Sequence, residues 1–249
     1  MLTCQFTINA GITGFESPAS DWEQLELCLD ELLIEHPSSS YVFTHDDDEL
    51  RSYGIFLGDL LILDASLTAR DSDLVLANVD GEIICRLLDL NARCLRSDAN
   101  PIRLSDFESL TILGVVSRSI RRFKSTNRYS IPGLSEYKNL PCSVHELLVP
   151  NPESTFLAIA AGDSMMGVGL YDRDVMIVDR MPVVKNRDVV VVNLNHEFAC
   201  KILDFDRRCL ISAHPKHPPV KVLSQDKVSI EGTVTHSIRF HRQSYLINA

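Results

Sequence analysis

The stretch Gly58-Asp59-Leu60-Leu61-Ile62-Leu63-Asp64 is written a second time, 115 residues later, as Arg173-Asp174-Val175-Met176-Ile177-Val178-Asp179. Working outward at the same offset, Glu31-Leu32-Leu33 falls on Glu146-Leu147-Leu148 and Pro37 on Pro152. Asp73-Leu74-Val75-Leu76-Ala77-Asn78 falls on Asp188-Val189-Val190-Val191-Val192-Asn193. Glu82, Cys85, Leu88, Asp89, Arg93, Cys94 and Leu95 meet Glu197, Cys200, Leu203, Asp204, Arg208, Cys209 and Leu210. Roughly 20 identities fall in about 67 positions without a gap, and most other pairs keep their apolar character. Beyond Leu95 the register slips by three residues, so that Gly114 and Ser119-Ile120-Arg121 meet Gly232 and Ser237-Ile238-Arg239. The slip falls in the proline-rich segment Ala213-His-Pro-Lys-His-Pro-Pro219, where a loop absorbs an insertion at little cost. A repeat this long that occurs only twice means tandem domains rather than a solenoid.

Each copy reads as mainly β. Short segments rich in Val, Ile and Leu near 59–63, 73–79, 82–90 and 111–120 are separated by Asp, Gly or Asn, and their counterparts lie near 174–179, 188–194, 197–205 and 228–240. A short helix precedes each copy. Asp21 can cap the first, and Leu25, Cys28, Leu29, Leu32 and Leu33 keep helical spacing before Pro37. The second retains only the turns from Ser143 to about Val149. Lys124-Ser-Thr-Asn-Arg-Tyr-Ser-Ile-Pro-Gly133 is polar and turn-forming. The expected organisation is therefore an arm over 1–20, a first domain over 21–124, a linker over 125–142 and a second domain over 143–249.

The 249 residues carry a formal charge of −10, with 45% hydrophobic and 23% charged side chains. That is ample apolar material for two cores. The acidic balance argues against nucleic acid or an anionic membrane as the direct partner, because phosphate binding needs clustered Lys and Arg. No apolar run nears the roughly 20 residues of a membrane-spanning helix, and MLTCQFTINAG lacks the basic start and long apolar stretch of a secretory signal. The seven cysteines are scattered and form no CxxC pair, so they read as reduced, mostly buried thiols of a cytoplasmic protein.

Chemistry is concentrated in the second copy. Gly162-Asp163-Ser164-Met165 is followed 37 residues after the serine by Lys201, inside Glu197-Phe-Ala-Cys-Lys-Ile-Leu203. A serine hydroxyl is a poor nucleophile until a base takes its proton, and a lysine desolvated in an apolar strand can be that base. The alternative reading is a turn serine and a strand lysine directed at water. At the matching positions the first copy has Glu49 and Arg86. Glutamate offers no nucleophilic hydroxyl and arginine keeps its proton, so this copy is expected to be inactive, its two opposite charges either paired in the former site or separately solvated.

Gly162-Asp-Ser-Met165, Asp174-Val-Met-Ile-Val-Asp179 and His196-Glu-Phe-Ala-Cys-Lys201, in that order and spacing, resemble the LexA/UmuD family of self-cleaving Ser–Lys peptidases. The first copy resembles UmuD in Gly14-Phe-Glu-Ser-Pro-Ala19, Leu32-Leu-Ile-Glu-His-Pro-Ser38 and Gly58–Asp64. The resemblance spans about 14–123 and 143–241. It implies Ser164 as nucleophile, Lys201 as general base, and backbone N–H groups near Ser164 as oxyanion donors. It also implies two LexA/UmuD-type peptidase domains standing as an intramolecular pseudo-dimer, since family members commonly work as homodimers. Family members cut an N-terminal arm before a glycine. The matching bond here is Ala10–Gly11, with Thr13–Gly14 as the alternative and Pro132–Gly133 a poor match in the second copy's own arm. The function implied is an SOS-response protein, accessory to a UmuC-type Y-family DNA polymerase in error-prone translesion synthesis and prompted to cleave by RecA filaments. The competing reading is a non-proteolytic binding subunit or regulator with a vestigial site. A LexA-type repressor would need a helix-turn-helix domain, for which the roughly 30 residues ahead of the first copy are too few. A signal-peptidase-like enzyme would need a membrane anchor.

No metal or cofactor is expected. His214 and His217 have metal-like spacing but sit among three prolines with no acidic or cysteine cluster beside them in sequence, and read as a loop. Asp46-Asp-Asp-Glu49 reads as a solvated acidic turn, and Arg118 to Lys124 as a strand end leading into the linker rather than a nucleic-acid site.

Overall fold

The computed structural model describes residues 28–124, 133–140 and 142–242, and the backbone of 7–9. The expected cap Asp21 and first helical turns, the Ala10–Gly11 and Thr13–Gly14 bonds, and most of the segment from Lys124 to Gly133 lie outside the described residues. The chain divides into two compact units. One comprises Cys28–Arg121, Tyr129–Val144 and Phe240–Ala249; the other comprises Met1–Leu27, Arg122–Arg128 and His145–Arg239.

In chain order the first elements are β1 (Thr7–Asn9), α1 (Leu29–Leu33), β2 (Ser40–Thr44), β3 (Leu60–Asp64), β4 (Leu74–Val79), β5 (Glu82–Asp89), β6 (Cys94–Arg96), β7 (Ile102–Arg103) and β8 (Leu110–Arg122). They are followed by β9 (Ser135–Glu136), α2 (Val144–Leu148), β10 (Thr155–Ala161), β11 (Val175–Asp179), β12 (Val189–Leu194), β13 (Glu197–Asp204), β14 (Cys209–Ile211), β15 (Val220–Lys221) and β16 (Val228–Phe240). The fold is mainly β in two tandem copies, as the repeat predicts. Both ends of β3, β4, β5 and β6 recur 115 residues later in β11, β12, β13 and β14, and those of β8 recur after 118 in β16.

In the unit built on the first copy, strands pair in the order β9-β2-β3-β8-β4-β5-β6-β7, all antiparallel. In the other the order is β1-β10-β11-β16-β12-β13-β14-β15, antiparallel except for β1 beside β10. β4 and β12 each open on four apolar residues in a row because both faces there are covered. Leu74 and Leu76 enter one core with Leu61, Leu63 and Val116, while Val75, Ala77 and Val79 enter another with Leu88 and Leu95. In the second unit Val189 and Val191 pack with Met165, Met176 and Cys200, and Val190 and Val192 with Leu203 and Leu210.

The long strands β8 and β16 each serve two neighbours through bulges. The register of β8 shifts against β3 between Ile62 and Leu63, and against β4 between Leu76 and Ala77. β16 shifts correspondingly at Ile177/Val178 and Val191/Val192. Gly114 and Gly232 sit at these bends, where a Cβ would stand 2.9 Å from Asp64 O and 2.7 Å from Val178 Cγ1 respectively. Close backbone approach explains why both copies have glycine there.

Candidate active site

β10 ends at Ala161 and delivers Gly162-Asp163-Ser164-Met165 into a turn that closes as a 3-10 segment, Met166–Val168. Met165 is sunk in the core beside Met176 and Cys200, which anchors the turn from below. Gly167 is required by space: its N–H donates to Ala213 O at 2.7 Å, and an added Cβ would lie 2.2 Å from that oxygen. The far side is held by Arg239, whose Nε and one terminal nitrogen each donate to the buried Asp174 carboxylate at 2.8 Å, while a 3.1 Å bond reaches Gly169 O and the guanidinium stacks 4.0 Å over the Tyr171 ring. Ser164 is thereby clamped at both ends of its turn. It is fully buried, at 0% exposure.

Lys201 is carried by β13, opposite Val190 of β12, and is 5% exposed. It shares a recess with Leu194, Glu197, Phe198, Ala199, Leu210 and Val220. Its Nζ donates to Ser164 Oγ at 3.0 Å. Burial disfavours the ammonium and holds its pKa below the ordinary value of 10.5. The adjacent Cys200 would oppose this only as a thiolate, and burial pushes its own pKa up to about 12, so it stays a neutral thiol near neutral pH. An amine whose charged form burial disfavours, facing a hydroxyl that can give up its proton, is the arrangement general-base activation requires.

The equivalent place in the first copy holds an ion-pair cluster. Arg86 is 6% exposed and spans two carboxylates, with Glu49 Oε2 at 2.6 Å and Asp47 Oδ2 at 2.9 Å. Ser97 Oγ donates to the same Glu49 oxygen at 3.2 Å. Of the two readings left open for Glu49 and Arg86, the charges are paired and not separately solvated. The acidic turn is accordingly more than a solvated face, since Asp47 and Glu49 both serve Arg86. Burial raises the Asp47 carboxyl pKa, and the Arg86 hydrogen bond together with the Glu49 N–H outweighs it, so the net displacement is downward.

The repeated acidic pair that frames β3 and β11 is structural in both copies. Asp179 accepts from Ser154 Oγ at 2.6 Å and from the Met181 N–H at 2.9 Å, while Asp64 accepts from Ser39, Ser66 and His36. Asp59 and Arg121 repeat the Asp174–Arg239 clamp more loosely, at 3.6 Å, with Arg121 over the Phe56 ring. Sequence reasoning passed over Arg239, although the match of Arg121 to Arg239 in the two copies was its available signal. Arg118 lies in the end of β8, as the sequence suggests, and there it is buried and pairs with Glu35 at 2.7 Å.

Ala10–Gly11 follows directly on β1, whose Asn9 stands opposite Ala161 in parallel register. The His214/His217 loop, read as lacking acidic neighbours, folds onto Asp163: His217 Nε2 lies 2.6 Å from Asp163 Oδ1. The aspartate is 54 residues away in sequence, so no local spacing could reveal it. Of the six described cysteines, Cys85, Cys94, Cys200 and Cys209 are buried and all six are free thiols. No helix among the described residues is long and apolar enough to cross a membrane.

Comparison with known families matches the peptidase S24-like model twice, over residues 6–117 and 125–235. Among individual proteins the chain is 32% identical to protein SamA of Salmonella typhimurium over 115 residues, covering 46% of this chain and 82% of SamA. It is 35% identical to protein MucA of Escherichia coli over 112 residues, covering 43% of this chain and 77% of MucA. Similarity to the LexA repressor of Oleidesulfovibrio alaskensis is 33% over 81 residues, 32% of this chain and 39% of the repressor.

Proposed function

The chain belongs to the peptidase S24-like family, and from that premise we propose that its second copy is a self-cleaving serine peptidase with Ser164 as nucleophile and Lys201 as general base. The observation that carries this reading is the 3.0 Å contact between Lys201 Nζ and Ser164 Oγ, both buried. In the reaction the neutral amine takes the hydroxyl proton as Oγ attacks the scissile carbonyl carbon. The resulting ammonium returns that proton to the departing amine as the C–N bond breaks, and water then hydrolyses the acyl-serine by the same relay. Backbone N–H groups of the Ser164 turn would hold the oxyanion.

The scissile bond in this proposal is Ala10–Gly11. Its support is register: Asn9 lies opposite Ala161 in parallel, and Ala10–Gly11 is next in sequence on one side as Gly162–Ser164 is on the other. β1 also approaches β13, the strand that carries Lys201. The organisation that goes with it is an arm over 1–20, an inactive domain over 21–124, a linker over 125–142 and an active domain over 143–249, the two domains standing as a covalent pseudo-dimer.

The wider role proposed is a cytoplasmic, UmuD-like accessory to SOS mutagenesis, acting with a UmuC-type polymerase and cleaving in the presence of RecA filaments. Coverage favours this over a repressor, because the chain spans 82% of SamA and 77% of MucA but only 39% of the LexA repressor. A second reading, a non-proteolytic binding subunit, draws on the first copy, which keeps the whole fold after losing the dyad residues.

Intact-mass measurement on purified protein, with and without RecA filaments, tests the enzyme reading. The expected result is a cut after Ala10 in the wild type and none in Ser164→Ala or Lys201→Ala. An uncut wild type under both conditions, with mutagenesis function unchanged in Ser164→Ala, would favour the binding subunit.

A further inference from the structure

We propose that Asp163, His214 and His217 form a binding site for one divalent transition-metal cation of the zinc class, on the residue immediately before Ser164. The side chains come from two segments that the fold brings together. His217 N–H closes a turn onto His214 O at 3.1 Å, and this places the two imidazoles on one side of the loop, centroids 5.5 Å apart. Asp163 reaches both rings: Oδ1 is 2.6 Å from His217 Nε2, and Oδ2 is 4.0 Å from His214 Nε2. One ligand atom from each residue lies within 4.8 Å of the others, and donors around a tetrahedral ion at about 2.1 Å stand roughly 3.4 Å apart, so closure needs only small side-chain rotations.

The chemistry of the donors selects the ion. Two imidazoles and one carboxylate suit zinc, cobalt or nickel, whereas calcium and magnesium take all-oxygen shells. The side chains remain 20%, 37% and 48% exposed for His214, His217 and Asp163, which leaves an entry path and room for water as fourth ligand. A proton between Asp163 and His217 now stands where the cation would bridge them. His214 accepts the Lys216 N–H at Nδ1 over 3.2 Å, a long bond that is given up when its proton moves to Nδ1 and Nε2 turns to the metal.

The site belongs to the second copy alone. Its loop between β14 and β15 is three residues longer than the one between β6 and β7, and it carries both histidines. In the first copy the corresponding loop presents Ser97 and Asp98, which bond Glu49 and Ser52 directly. The insertion and the dyad therefore occur in the same half.

Metal binding is separable from catalysis and is best measured in full-length Ser164→Ala, which cannot cut itself under the reading above. Titration of the metal-free chain with Co2+, followed by visible absorption, should give one saturable site with tetrahedral d–d bands and no intense thiolate-to-cobalt band. His214→Ala and His217→Gln should each weaken it at least about tenfold, since even second-shell losses cost that much. His36→Ala should leave it unchanged, and Zn2+ should displace the cobalt and raise the melting temperature. Absence of saturable binding, binding indifferent to both histidine variants, or a thiolate band would overturn the site. None of these outcomes bears on whether wild type cleaves, which the mass measurement reads independently.

Discussion

Lys201 carries a cost that its proposed role explains. An amine buried at 5% exposure among apolar side chains is destabilising whenever it is charged. Its native pKa lies below 10.5, so between the two values the unfolded chain binds the extra proton and stability rises with pH. Below the native pKa the penalty is complete; above 10.5 it vanishes. Lys201→Met should therefore raise the melting temperature, by more near neutral pH than in alkali, while abolishing cleavage. A fall in stability would mean that the amine is a net structural asset. The same titration governs rate: self-cleavage should climb about tenfold per pH unit below the native pKa and level off above it. Arg86 presents the opposite case, a buried cation already satisfied by two carboxylates. Arg86→Ala leaves Asp47 and Glu49 facing each other, but both are a third or more exposed, so the loss should be about 1–3 kcal/mol rather than that of a fully buried pair. Chemical denaturation checks it. Because the native Asp47 carboxyl titrates low, its contribution is present above the unfolded carboxylate pKa and lost as pH falls through the native one, so wild type and Arg86→Ala should converge in acid.

At the level of elements, the strands were legible because a doubly covered strand is apolar on both faces, and the runs at 74–77 and 189–192 are, each followed by an asparagine. Comparing the copies also exposed Gly114 and Gly232 as equivalent, although only the structure gives the cause, which is a bulge where backbone meets backbone. Bulges leave no local sequence signal. Nor do pairings such as Asp174 with Arg239, 65 residues apart, or Asp163 with His217. The contact between Ser164 and Lys201 was to be expected only through resemblance, since no spacing rule brings residue 164 to residue 201. Gly114→Ala is expected to cost about 1–3 kcal/mol by forcing a Cβ against Asp64 O and the Ala65 Cα, both main-chain atoms that cannot swing aside. Gly232→Ala meets the mobile end of Val178 first and should cost less, though Asp179 O at 3.0 Å limits the relief. Equal losses in paired denaturation curves would show that the sheet, not the contact atom, sets the penalty.

At the scale of the whole molecule, the chain holds two copies of a fold, of which the second brings a serine and a lysine together and the first has Glu49 and Arg86 in their place, so the order of the cleavage reaction becomes informative. The described part of the arm, β1, pairs with β10 in the unit that holds Ser164. A chain that presents its own arm to its own serine should cut in a first-order reaction whose half-time does not change with protein concentration. Mixing wild type with a tagged Ser164→Ala chain makes the test direct. The tagged chain should keep its full mass while wild type is consumed, because Glu49 and Arg86 in the first copy offer it no second nucleophile or base. Restoring the dyad in that copy with Glu49→Ser and Arg86→Lys should not rescue it, since β9, antiparallel to β2, stands where β1 runs parallel to β10. Cleavage of the tagged chain at a rate proportional to wild-type concentration would show instead that arms are exchanged between chains. The covalent pairing of the two copies would then serve assembly, and substrate delivery would come from a second molecule.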